Sequence, residues 1–193
     1  VAHVGGGLSV ACHDHGRMVD TNDVLEGSGP FAPNRSGDVP LKPVVKLAFS
    51  GDHTKKEIDG VIGKTGGLVG LVGTDDARLI DARIEQGDEW AKICYEAMAY
   101  QVAKAIGAFA TVLKGEVDGI VLTGGVSHDP FFVNYVAERV GWIAPIKVYA
   151  GDFEMDALAA GAVRALNGEE GVMTYTGEPS WKGFTMEGAI PEA

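Results

Sequence analysis

The stretch from Val117 to Leu166 alternates short apolar runs with helical patterns, and this alternation constrains the fold more than any other feature of the chain. Strands and helices are predicted alternately, at Val117 to Thr123, Pro130 to Val140, Ile146 to Ala150 and Glu154 to Leu166. Because a strand, a helix and a second strand at this spacing form a parallel βαβ unit, we expect a sheet with helices on both of its faces.

A long amphipathic helix is predicted ahead of this stretch, beginning after Asp88 and ended by Gly115. Its apolar residues recur at intervals of three and four, at Trp90, Cys94, Met98, Val102, Ile106, Phe109 and Leu113. Such spacing places one apolar stripe against a core. Nearer the N-terminus the sequence predicts strands at Val1 to Val4, Leu8 to Cys12 and Arg17 to Asp20, helices at Leu41 to Phe49, Lys55 to Ile62 and Asp75 to Gln86, and irregular backbone from Lys64 to Gly73. Thr54 and Glu57 are expected to form a capping box.

The composition describes one acidic, core-forming domain. The 193 residues include 16 basic and 27 acidic side chains, for a net charge of −11, and 46% of the residues are hydrophobic. A chain this negative has no bulk attraction for nucleic acid, and it shows neither a membrane span nor a signal peptide. Cys12 and Cys94 lie in apolar stretches, which favours a reducing, cytoplasmic setting. Residues 1–168 are expected to form one domain and residues 169–193 a C-terminal tail.

Three glycine clusters mark turns or strand ends, at Gly5 to Gly7, at Gly66 and Gly67, and at Gly124 and Gly125. Glycines at the carboxyl ends of strands let backbone amides approach phosphate oxygens. Each cluster also fits a tight turn without a ligand, and the glycines alone leave both interpretations open. The P-loop pattern GxxxxGK[ST] and the dinucleotide pattern GxGxxG do not occur, so neither of those nucleotide-binding folds is predicted.

Five separated motifs occur in the order in which a known family carries them. They are HVGGGLSV from His3, VDTN from Val19, GPFAPNRSG from Gly29, GTDDAR from Gly73 and TGGVSH from Thr123. Together they resemble the C-terminal half of the butyrate kinases, which belong with the acetate kinases to the acetokinase family and to the sugar kinase, heat-shock and actin ATPase superfamily. The resemblance covers residues 1–168 and implies an α/β, ribonuclease H-like (actin-like ATPase) lobe with a mixed sheet flanked by helices.

The resemblance also implies roles for individual residues. His3 and Arg35 are similar to catalytic residues of the phosphoryl-transfer site, where a planar guanidinium can bridge two charged oxygens. Glu154 resembles a carboxylate that holds Mg²⁺ through water, although the dipole of a helix also favours a carboxylate in the first turn. The other matches are to phosphate-binding and adenosine-binding residues, namely Gly5, Gly6, Gly7, Asp76, Arg78, Gly124, Gly125 and Val126. An ordinary pair of charged residues at the start of a helix explains Asp76 and Arg78 equally well.

The activity implied by the resemblance is that of a carboxylate kinase, which reversibly converts butanoate and Mg²⁺-bound ATP to butanoyl phosphate and ADP. The expected partners are a short-chain fatty acid, butyrate or isobutyrate, and an adenine nucleotide. Acetate kinases carry asparagine where this chain has Gly6, which favours the butyrate type. Discrimination by one or two methylenes is weak, so acetate, propionate and branched-chain acid kinases stay open. The alternative from another functional class is a module that binds nucleotide without catalysing a reaction.

The resemblance is to one lobe of a two-lobed enzyme. In that family the first phosphate loop, a catalytic aspartate and part of the acid pocket lie in the N-terminal lobe, and we expect the present chain to be a fragment without it. That lobe is therefore an expected partner, and a homo-oligomer is a further one. We expect the purified chain to bind adenine nucleotide weakly and to be inactive; formation of butyryl hydroxamate by the chain alone would contradict this expectation.

Overall fold

The structure is a computed structural model that describes residues 1–172 and 174–177. The chain divides into two compact units, Val1–Asp152 and the part from Phe153 onward. The domain limits predicted from the sequence, 1–168 and 169–193, stay predictions, and most of the predicted tail lies outside the described residues.

The first unit is built on a five-stranded mixed sheet. Its strands are β1 (Ala2–Val4), β2 (Leu8–Asp14), β3 (Arg17–Thr21), β4 (Ile120–Gly124) and β5 (Ile146–Ala150), in the spatial order β3-β2-β1-β4-β5. The first three strands form an antiparallel meander, whereas β4 runs parallel to β1 and β5 runs parallel to β4. The three predicted N-terminal strands and the parallel βαβ arrangement are confirmed, and Gly5 to Gly7 form the turn between β1 and β2.

Helices connect these strands. The first unit contains α1 (Leu41–Ala48), α2 (Lys55–Gly63), α3 (Gly67–Val72), α4 (Ala77–Glu85), α5 (Glu89–Ala110), a 3₁₀ turn (Gly125–His128) and α6 (Pro130–Val140), and the second unit contains α7 (Glu154–Leu166). The predicted capping box of α2 is confirmed, since Thr54 and Glu57 each accept a hydrogen bond from the backbone amide of the other. Within residues 1–172 and 174–177, no helix has the length and apolar character that crossing a membrane requires.

The segment predicted to be irregular, Lys64 to Gly73, contains the short helix α3. The prediction is wrong because a neighbouring loop supplies acceptors for the first amides of this helix. The Leu68 amide donates to the carbonyl oxygen of Ala32 at 3.3 Å. The Val69 amide donates in the same way to Pro33 at 2.9 Å. These contacts with a distant part of the chain outweigh the low helix propensity of glycine.

The core lies between one face of the sheet and helices α5 and α6. Alternate residues of β1, β2 and β4 are buried there, and the middle of the apolar stripe of α5 is buried as predicted; the largest buried side chains include Leu8, Val10, Tyr95, Met98, Leu122 and Phe132. Both cysteines are buried and unpaired.

The opposite face of the sheet is less covered than the βαβ pattern predicted. His3, Ser9 and Thr123 point away from the core and are only half-buried. An antiparallel meander such as β1, β2 and β3 can leave one of its faces open, whereas a purely parallel sheet cannot. The less covered face therefore presents polar side chains at the end of β1 where the first glycine cluster begins.

Candidate functional site

The turn between β1 and β2 exposes backbone donors. The Gly5 amide donates to the carbonyl oxygen of Gly7 at 2.9 Å, which closes the turn on itself. The amides of Gly6 and Gly7 form no backbone hydrogen bond within residues 1–172 and 174–177. Successive amides in a tight turn make a concave site for an anion, so this geometry suits the phosphate-binding role predicted for the cluster.

Three polar side chains lie against this turn, one at each glycine. A Cβ added to Gly5 would lie 3.2 Å from Nε2 of His3, and a Cβ added to Gly7 would lie 3.3 Å from Cζ of Arg35. A Cβ added to Gly6, the middle glycine, would likewise lie close to Nδ2 of Asn34. The structure therefore brings together the two residues predicted to be catalytic, His3 and Arg35, at the two ends of the predicted phosphate loop.

The Arg35 guanidinium is held in place but is not fully satisfied. Its Nη1 donates to the carbonyl oxygen of Val24 at 3.1 Å. Its Nε is buried and has no hydrogen-bond partner among the residues that the structure describes. A buried polar atom without a partner is uncommon in a folded protein and calls for an explanation such as an anionic ligand. A phosphoryl group seated on the neighbouring glycine turn would accept from this atom, so the residues present fit such a group.

The loop that carries Arg35 is fastened by side chains that the sequence analysis did not identify. Asn22 accepts from the Val10 amide at 2.7 Å and donates to the carbonyl oxygens of Leu8 at 3.2 Å and Ser28 at 3.0 Å. Every polar atom of this carboxamide thus bonds to backbone, and strand β2 is tied to the loop. An asparagine following a strand is a signal for such backbone bonding, although its partners here are distant in sequence.

The second glycine cluster holds the same loop from another side. Gly67 has φ +57°, and a side chain there would overlap the carbonyl oxygen of Ala32 and approach that of Arg35 to 2.8 Å. The amides that follow it already donate to this loop at the start of α3. Of the two interpretations left open for this cluster, the structure supports the one without a ligand, because the cluster supports the backbone on which Arg35 stands.

The third glycine cluster lies at the end of β4, beside the end of β1. Gly124 has φ +90°, and it approaches the backbone of Val4 so closely that no Cβ would fit. It also exchanges two hydrogen bonds of 3.0 Å with Gly151. Ser127 lies in the 3₁₀ turn after β4, where it is buried. It donates to the carbonyl oxygen of Thr123 at 2.8 Å, and this bond fixes the turn. The predicted phosphate loop and the predicted adenosine motif, Gly124 to Val126, thus meet at one edge of the sheet.

Tyr95 anchors the residue that follows this 3₁₀ turn. Its hydroxyl donates to Oδ2 of Asp129 at 2.7 Å, while Oδ1 of Asp129 accepts from the Phe131 amide at 2.8 Å and caps α6. The Tyr95 ring is fully buried and stacks on that of Phe131. Burial raises the pKa of the Tyr95 hydroxyl, and the bond to Asp129 raises it further. Tyr95 therefore stays a neutral donor and holds Asp129, the residue that follows the 3₁₀ turn and caps α6.

Replacing Tyr95 by phenylalanine should lower the free energy of unfolding by about 1–3 kcal/mol, because a half-buried carboxylate loses its donor. Chemical denaturation measures this change. Tyr100→Phe is the matched control, since Tyr100 lies on the same helix with its ring half exposed and its hydroxyl unbonded among the described residues. Equal stability of the two variants would show that the Tyr95 hydroxyl does not hold Asp129.

Asp76 and Arg78 lie at the start of α4, as predicted. Asp76 caps this helix and forms an ion pair with Arg78 at 2.7 Å. The hydrogen bond to Arg78 lowers the pKa of Asp76, and its counterpart raises the pKa of Arg78. One turn further along, burial raises the pKa of Asp81 and the nearby carboxylate of Asp129 adds to the effect. Helix α4 therefore lies near Asp129, which follows the predicted adenosine motif, although the capping contact also accounts for Asp76 without a nucleotide.

Glu154 begins α7, in the second unit, and its side chain is exposed. Its assignment to Mg²⁺ stays a prediction. Within residues 1–172 and 174–177, no three His, Cys, Asp or Glu side chains cluster as metal ligands. Mg²⁺ in kinases is held mainly by substrate phosphates, water and one or two carboxylates, so a protein cluster is not required.

The sheet order and the glycine turns at the ends of β1 and β4 define a lobe of the actin-like ATPase class. An acetate kinase from Porphyromonas gingivalis has the same fold, with a TM-score of 0.76 and 25% identity over 86% of this chain and 48% of its own. A propionate kinase from Francisella tularensis subsp. tularensis SCHU S4 superposes with a TM-score of 0.70 at 22% identity, over 78% of this chain and 45% of its own.

The profile of the acetokinase family matches residues 1–176, and the chain belongs to that family. A probable butyrate kinase from Clostridium botulinum (strain Alaska E43 / Type E3) is 45% identical to it over 175 residues, which are 91% of this chain and 49% of the relative. The resemblance inferred from the five motifs is thus confirmed, and the chain spans about half the length of these relatives.

Proposed function

We propose that this chain forms the nucleotide-binding lobe of an ATP-dependent kinase that phosphorylates a short-chain fatty acid. The single observation behind the proposal is that the buried, unpartnered Nε of Arg35 lies beside the turn where the amides of Gly6 and Gly7 are open. A phosphoryl group between them would accept hydrogen bonds from both the side chain and the backbone. Donors held in place before the charge develops are the largest single contribution to many such reactions.

Arg35 would stabilise the group in transfer. Its guanidinium is already tethered to the carbonyl oxygen of Val24, so little reorganisation is needed when the charge on the transferring oxygens rises. His3 lies at the other end of the same turn, where its ring can donate to a phosphoryl oxygen. These two side chains supply fixed donors, and the glycines supply room for the phosphates to approach the backbone.

The nucleotide would extend from this turn across the end of the sheet. Gly124, Gly125 and Val126 would support the adenosine, with Asp76 and Arg78 at its far side. Mg²⁺, when bound with ATP, neutralises phosphate charge, and Glu154 is the candidate side chain to hold it through water. The remaining half of the relatives' length would supply the opposite wall of the cleft, and we place the whole protein in the cytoplasm.

The acid is proposed to be butyrate or isobutyrate, with acetate and propionate as poorer substrates. The support is the identity to a probable butyrate kinase, together with Gly6 in the phosphate loop. Each methylene in an apolar pocket changes the specificity by only about 1–3 kcal/mol, so several neighbouring acids should react.

Two measurements test this function. Calorimetric titration of the 193-residue chain with ADP and Mg²⁺ should show saturable, weak binding, and the absence of binding would contradict the nucleotide-binding role. The whole protein, incubated with ATP, hydroxylamine and a series of acids from acetate to valerate, should form acyl hydroxamate with a maximum at four carbons. Absence of hydroxamate with every acid would contradict the kinase assignment.

A further inference from the structure

Asn34 is the third polar side chain at the glycine turn, and its position differs from those of His3 and Arg35. Its Nδ2 lies 3.3 Å from the place that a Cβ on Gly6 would take, so it faces the middle of the turn. Its own backbone amide donates to the carbonyl oxygen of Gly6 at 3.4 Å. The main chain of Asn34 is therefore attached to the turn independently of its side chain.

The Asn34 carboxamide makes no hydrogen bond within residues 1–172 and 174–177, although the residue is half-buried. The contrast with Asn22 is informative, because that carboxamide is fully engaged with backbone. A structural asparagine in a loop normally bonds to nearby backbone, as Asn22 does. The Asn34 side chain is thus free to bind something else at the turn.

Several donors belong to the turn and loop at Asn34, while the Gly6 carbonyl oxygen is already occupied by the Asn34 amide. The amides of Gly6 and Gly7 belong to the turn that Nδ2 of Asn34 faces, and the next residue in the chain is Arg35, whose Nε has no partner among the described residues. A neutral primary amide adds two N–H donors to this set without adding charge. A site so rich in donors selects an anion with several oxygens that can accept at once.

We propose that Asn34 is a further phosphate-binding residue, whose Nδ2 donates to a terminal oxygen of the phosphate seated on the Gly5–Gly7 turn. The ligand is the β-phosphate of a nucleoside diphosphate, and the same contact persists in the triphosphate. This inference rests on the proposed function, and it adds a residue that touches the nucleotide at the centre of the turn.

The test is calorimetric titration of the 193-residue chain and its variants with ADP and, separately, with adenosine. Asn34→Ala should weaken ADP binding about ten-fold, because one hydrogen bond to a charged group is lost. Asn34→Asp has the same shape but places a carboxylate against the phosphate, and it should weaken ADP binding about a hundred-fold. Adenosine, which has no phosphate, should bind all three proteins equally.

Asn134→Asp is the matched control, since Asn134 is exposed on α6 and the variant changes the net charge equally. Its ADP affinity should equal that of the unmodified chain. A second variant keeps the test informative if shortening Asn34 disturbs the loop. Gly6 lacks a positive φ, and among the described residues a Cβ on it would contact only the Asn34 side chain. The double variant Gly6→Asn with Asn34→Ala should therefore return a carboxamide to the same space and restore ADP affinity.

The possible outcomes test the role of Asn34 and the proposed function separately. ADP affinity unchanged in both Asn34 variants would overturn the inference and leave the proposed function intact. An equal loss of ADP and adenosine binding would also overturn it, because Asn34 would then act on the fold and not on the phosphate. Failure of the unmodified chain to bind ADP would contradict the proposed function itself, and the inference with it.

Discussion

In the whole kinase proposed here, replacing Arg35 by alanine should lower kcat by about a thousand-fold while the affinity for ADP changes little. The Nε of Arg35 is buried without a partner among the described residues and its Nη1 is tethered to Val24, which suits a donor held ready for the charge that would develop during transfer. ADP lacks the transferring group, which is the group proposed to accept from Arg35, whereas its β-phosphate is proposed to accept from Asn34 and the amides of the glycine turn. Steady-state kinetics with ATP and butyrate, together with calorimetry for ADP, measure the two quantities.

The Arg35 prediction has two controls, the replacement of a different arginine by alanine and the replacement of Arg35 by lysine. Arg17 is exposed on β3, and Arg17→Ala should leave kcat unchanged. Arg35→Lys retains the charge but not the planar pair of donors, and it should recover only part of the lost rate. A large loss of ADP affinity with kcat intact would show that Arg35 binds substrate without stabilising the transition state.

The replacement of Gly124 by alanine should destabilise the fold by about 3–5 kcal/mol. The backbone of Gly124, with φ +90° and ψ +170°, lies in a region that essentially only glycine adopts, and it costs a residue with a Cβ about 1–3 kcal/mol. The remainder comes from overlap, because the new methyl group would contact the carbonyl oxygen of Val4 and lie 2.6 Å from its carbonyl carbon. Relief of this overlap requires the ends of β1 and β4 to separate. Denaturant titration followed by circular dichroism measures the loss.

Gly125 provides a control one residue away. Among the residues that the structure describes, no heavy atom lies within 4 Å of a Cβ added there, and its φ is not positive. Gly125→Ala should therefore change the free energy of unfolding by less than about 1 kcal/mol. If the two alanine variants were equally stable, the close approach of β4 to β1 could not be what requires glycine at position 124.

Much of the fold followed from local patterns. The apolar stripe of α5, the capping box of α2 and the strand and helix limits after Pro130 depend on neighbours within a few residues, which the sequence displays directly. The positions of Gly5 to Gly7 and of Gly124 at strand ends followed from the same patterns. The motifs then located Arg35, whose proximity to the first glycine turn no spacing rule could supply.

The features that were missed depend on contacts between distant segments. Helix α3 exists because Ala32 and Pro33 accept its first hydrogen bonds, and glycine-rich sequence alone does not indicate such acceptors. Tyr95 follows Cys94 of the predicted apolar stripe, and only the fold shows that its hydroxyl reaches Asp129. Asn22 and Asn34 have the same side chain and occupy similar loops, yet one is saturated by backbone and the other is open.

The low burial of helices α1 and α2 lowers the local stability of the loop that carries Arg35. Neither helix buries a residue, so local unfolding of this segment sacrifices little core packing and needs far less free energy than global unfolding. The carbonyl oxygen of Ile62, in the last turn of α2, accepts from the Ser36 amide at 3.3 Å. Each opening event therefore releases one side of the Arg35 loop while α3 retains the other, and the arginine proposed to be catalytic is attached to one of the least stable parts of an otherwise well-packed unit.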